Sequence, residues 1–143
     1  MRIETRAPRG HVIIAVIAIL WSLAGVAAFI GQETMSAETI AALPADQREL
    51  WTNQPLWAIV AYSVAVFAQL AGAVALLLRR RIASPLFVAA IVAVLVQFSY
   101  PFLIAKALSL TDPAKSAFPL VILLIAVALF FYARWATKAG LLN

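Results

Sequence analysis

The residues of this chain that could bind a ligand are a few hydrogen-bonding side chains inside otherwise apolar stretches. Two glutamines each carry an amide in such a stretch, and hydroxyl, phenol and indole groups lie at similar positions in neighbouring stretches. The candidate residues are Trp21, Ser22, Tyr62, Ser63, Gln69, Gln97 and Tyr100. An amide removed from water needs another partner, so both glutamines are expected to face the interior of the fold. Such groups either line a site for a neutral ligand or simply join neighbouring helices, and both alternatives remain open.

Counting along the chain places these side chains in two polar layers. With a helical rise of about 1.5 Å per residue, Gln69 lies about 14 Å from the basic boundary at Arg79. Ser63 and Gln97 share a second level, about 22 Å from that boundary. The first layer comprises Trp21, Ser22 and Gln69, and the second comprises Ser63, Gln97 and Tyr100, with Tyr62 close by.

Four long apolar stretches must position these layers. A run of about 18 or more apolar residues can cross a hydrocarbon core of about 30 Å as a helix. The chain is 65% hydrophobic and 12% charged, which excludes a water-soluble globular fold. We therefore expect an all-α membrane protein, a four-helix transmembrane bundle forming a single domain over residues 1–143. The predicted spans are Val12–Ile30, Leu56–Leu78, Ile82–Ala105 and Phe118–Ala136.

The distribution of basic residues predicts the orientation, because Lys and Arg accumulate in cytoplasmic loops. Placing both termini and the turn Arg79, Arg80 and Arg81 inside puts eight basic residues in the cytoplasm and three outside. The three arginines are therefore the predicted topology determinants of a multi-pass protein of the bacterial inner membrane. A cleaved secretory signal is the alternative for the first stretch, but that stretch is longer than the usual apolar region of a signal and contains Trp21.

The first loop is the one sizeable segment expected outside the membrane. Ser36 can cap a short helix, Ala37–Leu43, through its hydroxyl, and Pro44 ends that helix or begins the next. A second short helix is expected over Ala45–Thr52. This helical extracytoplasmic loop either covers the ends of the spans or acts as a lid over an outward-facing cavity.

Most site chemistry is missing from the sequence. There is no cysteine, a single histidine at His11 and no acidic residue in the interior of any predicted span. No catalytic residue, cofactor or metal site is therefore expected, and proton or sodium coupling is not expected either. The net charge of +5 does not indicate nucleic acid, because the basic residues flank helix ends. The expected partners are membrane lipids, including anionic head groups beside the arginine turn.

Small residues predict close packing of the first three helices. They recur at three- and four-residue spacing along the second span. Helices in lipid associate through small side chains, which allow their backbones to approach closely. The positions are Ala61, Ala65, Ala68, Gly72 and Ala75 in that span, with Ala18, Ser22 and Gly25 in the first and Ala89, Ala90 and Ala93 in the third.

Short apolar motifs recur along nearly the whole chain: Trp21–Val26, Leu43-Pro44, Pro55–Trp57, Ala65–Phe67, Leu76–Arg81, Pro85–Phe87 and Val94–Tyr100. These motifs resemble those of a group of small bacterial four-helix membrane proteins of uncharacterised function, some of which carry the label "sugar transporter". This resemblance covers nearly the whole chain and implies solute handling, without functional residues to carry across.

Two hypotheses for function follow. The first is a non-enzymatic membrane protein that works through helix association, as a homo-oligomer or as an accessory subunit of a membrane complex. The alternative is a facilitator or binder of a small neutral solute such as a sugar, without ion coupling. The two hypotheses differ in what the glutamines do: a shared cavity favours the solute, whereas hydrogen bonds to adjacent helices favour packing.

Overall fold

The structure, a computed structural model, describes residues 9–45, 48, 52, 54–100 and 113–143, with side chains in the last range from Leu120 onward. The regular elements of this part of the chain are all helices. They are α1 (Arg9–Glu33), α2 (Ala37–Ala41), α3 (Leu56–Leu77), α4 (Ala83–Ser99) and α5 (Pro113–Lys138).

Three of these helices are long and apolar enough to cross a membrane: α1, α3 and the Leu120–Lys138 part of α5. The fourth apolar helix, α4, has 17 residues. Its predicted extension to Ala105, with a bend at Pro101, lies outside the described residues. The apolar runs therefore predict where the helices are, but α1 and α5 extend beyond their predicted spans into flanking polar sequence.

The short helix α2 begins where its capping residue predicts. Ser36 has extended backbone dihedral angles, and its Oγ accepts a hydrogen bond from the Thr39 backbone N–H at 3.2 Å. This bond satisfies one of the amides that a helix leaves without an internal partner. The second predicted loop helix lies largely outside the described residues.

Helix α3 packs against both α1 and α4, and α4 also packs against α5. The small residues of α3 face these neighbours, since Ala61, Ala65, Gly72 and Ala75 are all buried. A Cβ built on Gly72 would lie 2.8 Å from Cε1 of the fully buried Phe87. Glycine therefore allows the aromatic ring of α4 to lie directly against the backbone of α3.

One end of the bundle, which we call the base, is densely packed. Its core is a cluster formed by all four long helices and the residues after α5: Ala15, Ala18, Ala73, Ala75, Leu76, Ala83, Phe87, Leu129, Ala133, Ala136 and Leu142. Alanine dominates this cluster, so the helices approach closely and close this end.

The turn between α3 and α4 and the residues after α5 meet at the base. Arg79 adopts a left-handed backbone conformation (φ 58°), and the Arg80 N–H bonds to the carbonyl of Ala75, which together form a Schellman-type helix end. Gly140 (φ 81°) ends α5 in the same way and directs the chain back to this turn. The Asn143 N–H then donates to the Arg79 carbonyl at 2.7 Å.

Candidate functional site

A partly enclosed cavity of about 290 Å³ lies among the long helices, beside the base. Its lining is mostly small and apolar, with amide, hydroxyl and aromatic groups between. The lining residues are Trp21, Ser22, Ala24, Gly25, Ala28, Gln32, Gln54, Tyr62, Ala65, Val66, Gln69, Val94, Gln97, Phe98, Tyr100 and Ile122. From Trp21 to Gln32 along α1 the cavity extends about 16 Å. We call the end at Gln32 and Gln54 the mouth.

Six of the seven side chains predicted for the polar layers line this one cavity. The two layers are therefore levels of a single space. Ser63 is the exception, because its Oγ donates to the Val60 carbonyl of its own helix at 2.7 Å and it does not line the cavity. That the predicted polar residues form a functional site stays a prediction.

The two glutamines behave differently from packing residues. Gln69 on α3 is only 6% exposed and Gln97 on α4 is half-buried, and both line the cavity. Within the described part of the chain, neither side-chain amide has a hydrogen-bond partner. The cavity is therefore the place from which these amides can receive a partner.

Ser22 contributes little free hydrogen-bonding capacity to the deep end. Its Oγ donates to the carbonyl of Ala18 at 2.7 Å, and the residue is buried. A hydroxyl has lone pairs left after donating, so it can still accept a bond from a ligand. Trp21 lies beside it, with an indole N–H that can only donate.

The mouth is held by side-chain contacts between α1 and the start of α3. Tyr62 donates its phenol proton to Oε1 of Gln32 at 2.8 Å, and its ring meets Phe29 edge-on with centroids 4.9 Å apart. The carboxyl group of Glu33, the last residue of α1, lies close to the side chain of Gln54. The mouth thus combines two amides and a phenol, with one carboxyl group beside it.

The residues Gln32 and Gln54 were missed by sequence analysis because they lie outside the predicted spans. The sequence does contain a pattern that could have indicated Gln32. Trp21, Gly25, Ala28 and Gln32 are spaced three or four residues apart. That spacing places them on one face of α1, as long as the helix continues past Ile30.

The single histidine lies inside the base. His11 is 3% exposed; its Nε2 lies 2.8 Å from the Leu76 carbonyl oxygen, and its Nδ1 lies 2.6 Å from the Tyr132 hydroxyl. A carbonyl only accepts, so Nε2 carries the proton and donates to it. His11 therefore joins α1 to α3 and α5 and helps to close the end opposite the mouth.

The charged groups are unevenly distributed between the two ends. The arginine turn lies at the base, where the Arg79 Nε donates to the Leu141 carbonyl at 2.9 Å and the Arg80 side chain is exposed. Arg9, Arg134 and Lys138 lie at the same end, near the helix termini. Glu33, Glu38 and the exposed Arg48 lie toward the mouth end. The role of the arginine turn in orientation stays a prediction.

The described residues contain no group of three or more His, Asp or Glu side chains that could hold a metal ion. What the cavity offers is hydrogen bonding and apolar contact. Comparison with protein-family models finds no match to this chain, and neither curated proteins nor solved structures show one.

Proposed function

We propose that this protein binds a small organic solute within the membrane and facilitates its movement. The cavity is the binding site, and the solute has an apolar body with at least one hydrogen-bonding group. Ligand pockets commonly combine a mostly apolar lining with a few polar groups that fix orientation, at volumes of about 300 to 1,000 Å³. The cavity, at about 290 Å³, is close to the lower limit of that range.

The observation that carries the proposal is the placement of Gln69 and Gln97. They come from different helices, line the same cavity and have no hydrogen-bond partner among the described residues. A purely structural role would bond each amide to a neighbouring helix, whereas both of these amides are accessible from the cavity. A bound solute supplies the missing partners.

In the proposed arrangement α1, α3, α4 and α5 all cross the membrane, with the base in the cytoplasm and the mouth outside. At 17 residues α4 extends about 26 Å, close to the thickness of the hydrocarbon core. The arginine turn at the base supports this orientation through the positive-inside rule. The cavity is then reached from outside, and the packed base must open before solute can pass.

The alternative of action through helix association has less support. The small residues that suggested it are buried inside the chain itself, as Ala61, Ala65 and Gly72 are on α3. They join the four long helices of this protein and leave fewer close-approach positions for another subunit.

Uptake into liposomes tests the proposal, with a panel of radiolabelled sugars, polyols and small amines. The intact protein is compared with Gln97→Leu and with Ser99→Ala. Ser99 is a matched control because it is a polar residue of the same helix, does not line the cavity and already donates to the Val96 carbonyl at 2.6 Å.

We expect saturable uptake of at least one solute by the intact protein and by Ser99→Ala, and about tenfold lower uptake by Gln97→Leu, equivalent to one lost hydrogen bond. Absence of saturable uptake across the panel, or equal uptake by all three proteins, would contradict the proposal.

A further inference from the structure

A carboxyl group with an unpaired oxygen lies beside the cavity mouth. Oε1 of Glu33 is buried and has no hydrogen-bond partner among the described residues. Glu33 lies next to the cavity without lining it, because it follows Gln32 and its carboxyl group is close to the Gln54 side chain, and both glutamines line the mouth. A carboxylate oxygen shielded from water is costly unless a donor or a positive charge reaches it.

The surrounding groups favour a positive charge. The amide oxygens of Gln32 and Gln54 are acceptors. Among the described basic side chains, Arg9, Arg79–Arg81, Arg134 and Lys138 lie at the opposite end, and Arg48 is exposed in the loop between α1 and α3. Aromatic side chains of Trp21, Tyr62, Phe98 and Tyr100 line the same cavity, and aromatic rings attract cations through their faces. A carboxylate beside a cleft also attracts cations from solution.

From these observations we infer that the preferred ligand carries a protonated amine on a small apolar or aromatic body, and that Glu33 selects it. The ammonium group lies at the mouth, between Glu33 and the two glutamines. The apolar body extends along the small residues of α1 and α3 toward Gln69. This inference rests on the proposed function and narrows it to a cationic solute. The sequence alone predicts a neutral solute because the predicted spans contain no acidic residue. Glu33 is not part of that prediction because it lies just past the first predicted span.

A pair of matched probes tests the inference: 4-bromobenzylamine, which is protonated at neutral pH, and 4-bromobenzyl alcohol, which is not. Bromine quenches indole fluorescence on contact, and Trp21 lines the cavity. The protein carries Trp51→Phe, Trp57→Phe and Trp135→Phe, so that quenching reports on Trp21 alone. Titrations in nanodiscs compare this parent with Glu33→Gln and with Glu38→Gln.

Glu38→Gln is the matched control, because it removes an equal charge from an exposed position on α2 at the same end. In the parent and in this control we expect the amine to bind about tenfold more tightly than the alcohol, the effect of one charge-assisted hydrogen bond. In Glu33→Gln, where the amide can still pair with Gln54, we expect the two probes to bind within about twofold of each other. Circular dichroism establishes that both variants keep their helices.

The possible failures are distinguishable. Saturable quenching by both probes with no preference for the amine, or a preference that survives Glu33→Gln, overturns the inference and leaves the binding site standing. Quenching that never saturates for either probe overturns the proposed site as well.

Discussion

Replacing Gly72 with alanine tests how tightly the base is packed. The new methyl group would lie 2.8, 3.0 and 3.1 Å from three ring carbons of Phe87, which is fully buried. Contacts this short require the ring or one of the helices to move. Because the ring is enclosed within the base, it has little room to do so.

The expected magnitude is the difference between two opposing effects. Overpacking a close contact costs about 1–3 kcal/mol, and alanine stabilises a helix by up to about 1 kcal/mol relative to glycine. We therefore expect Gly72→Ala to lower the free energy of unfolding by about 1–2 kcal/mol. Shrinking the ring in Gly72→Ala/Phe87→Leu should recover at least about 1 kcal/mol relative to the sum of the single changes.

Reversible unfolding in mixed micelles, followed by circular dichroism, measures these differences. Gly25→Ala is the matched control, because its methyl group would meet only Val66 Cγ1, at 3.6 Å, an ordinary contact. A Gly72→Ala protein as stable as the Gly25→Ala protein, or a double variant showing no coupling, would refute the close approach of α4 to α3.

Two further predictions concern the base. His11→Leu removes both hydrogen bonds of the imidazole and leaves the Tyr132 hydroxyl without that partner, so unfolding should become easier by about 1–3 kcal/mol. Thr137→Val, which removes a hydroxyl bonded within α5, should change stability by less than about 0.5 kcal/mol, and equal effects of the two changes would refute the role of the imidazole. Leu142→Ala should lower the free energy of unfolding by about 2 kcal/mol, because Leu142 is buried in the base. It should also speed hydrogen exchange at the Arg81 amide, which donates to the Asn143 carbonyl. Unchanged exchange at that amide would show that packing of the residues after α5 does not protect the turn.

The positions of the helices could be predicted because apolar runs are a strong and local signal. The start of α3 at Leu56 is as predicted, and its end at Leu77 differs by one residue. The start of α2 after Ser36 follows from a single hydroxyl and its capping geometry. The extension of α1 to Glu33 could not be predicted, because its last residues are polar and lie past the apolar run.

The site could be predicted in its composition more than in its shape. Depth along a helix follows from counting residues, and this counting placed Gln69 and Gln97 within the spans, away from the helix ends. Rotation about the helix axis and the spacing between helices depend on packing. For this reason Ser63 lies away from the cavity and the two layers form one space.

The surroundings of the ionisable groups next to the bundle core could not be predicted. His11 and Glu33 both lie at the ends of α1, where a sequence shows only that a polar residue follows or precedes an apolar run. The neighbours that bury them, such as Tyr132 and Gln54, are distant in sequence. Contacts of that kind exist only once the helices have packed.

The most direct test of the account is whether the cavity is reached by water from outside the cell while the base is not. The sequence has no cysteine, so single cysteines can be introduced at Gln97, Leu95 and Arg80 and treated in intact cells with a small membrane-impermeant thiol reagent. Leu95 lies on the same helix as Gln97, does not line the cavity and is about half exposed.

The account predicts rapid labelling of Gln97→Cys, slow labelling of Leu95→Cys, and labelling of Arg80→Cys only after the membrane is permeabilised. Labelling of Arg80→Cys in intact cells, or a Gln97→Cys protein that reacts no faster than Leu95→Cys, would contradict it.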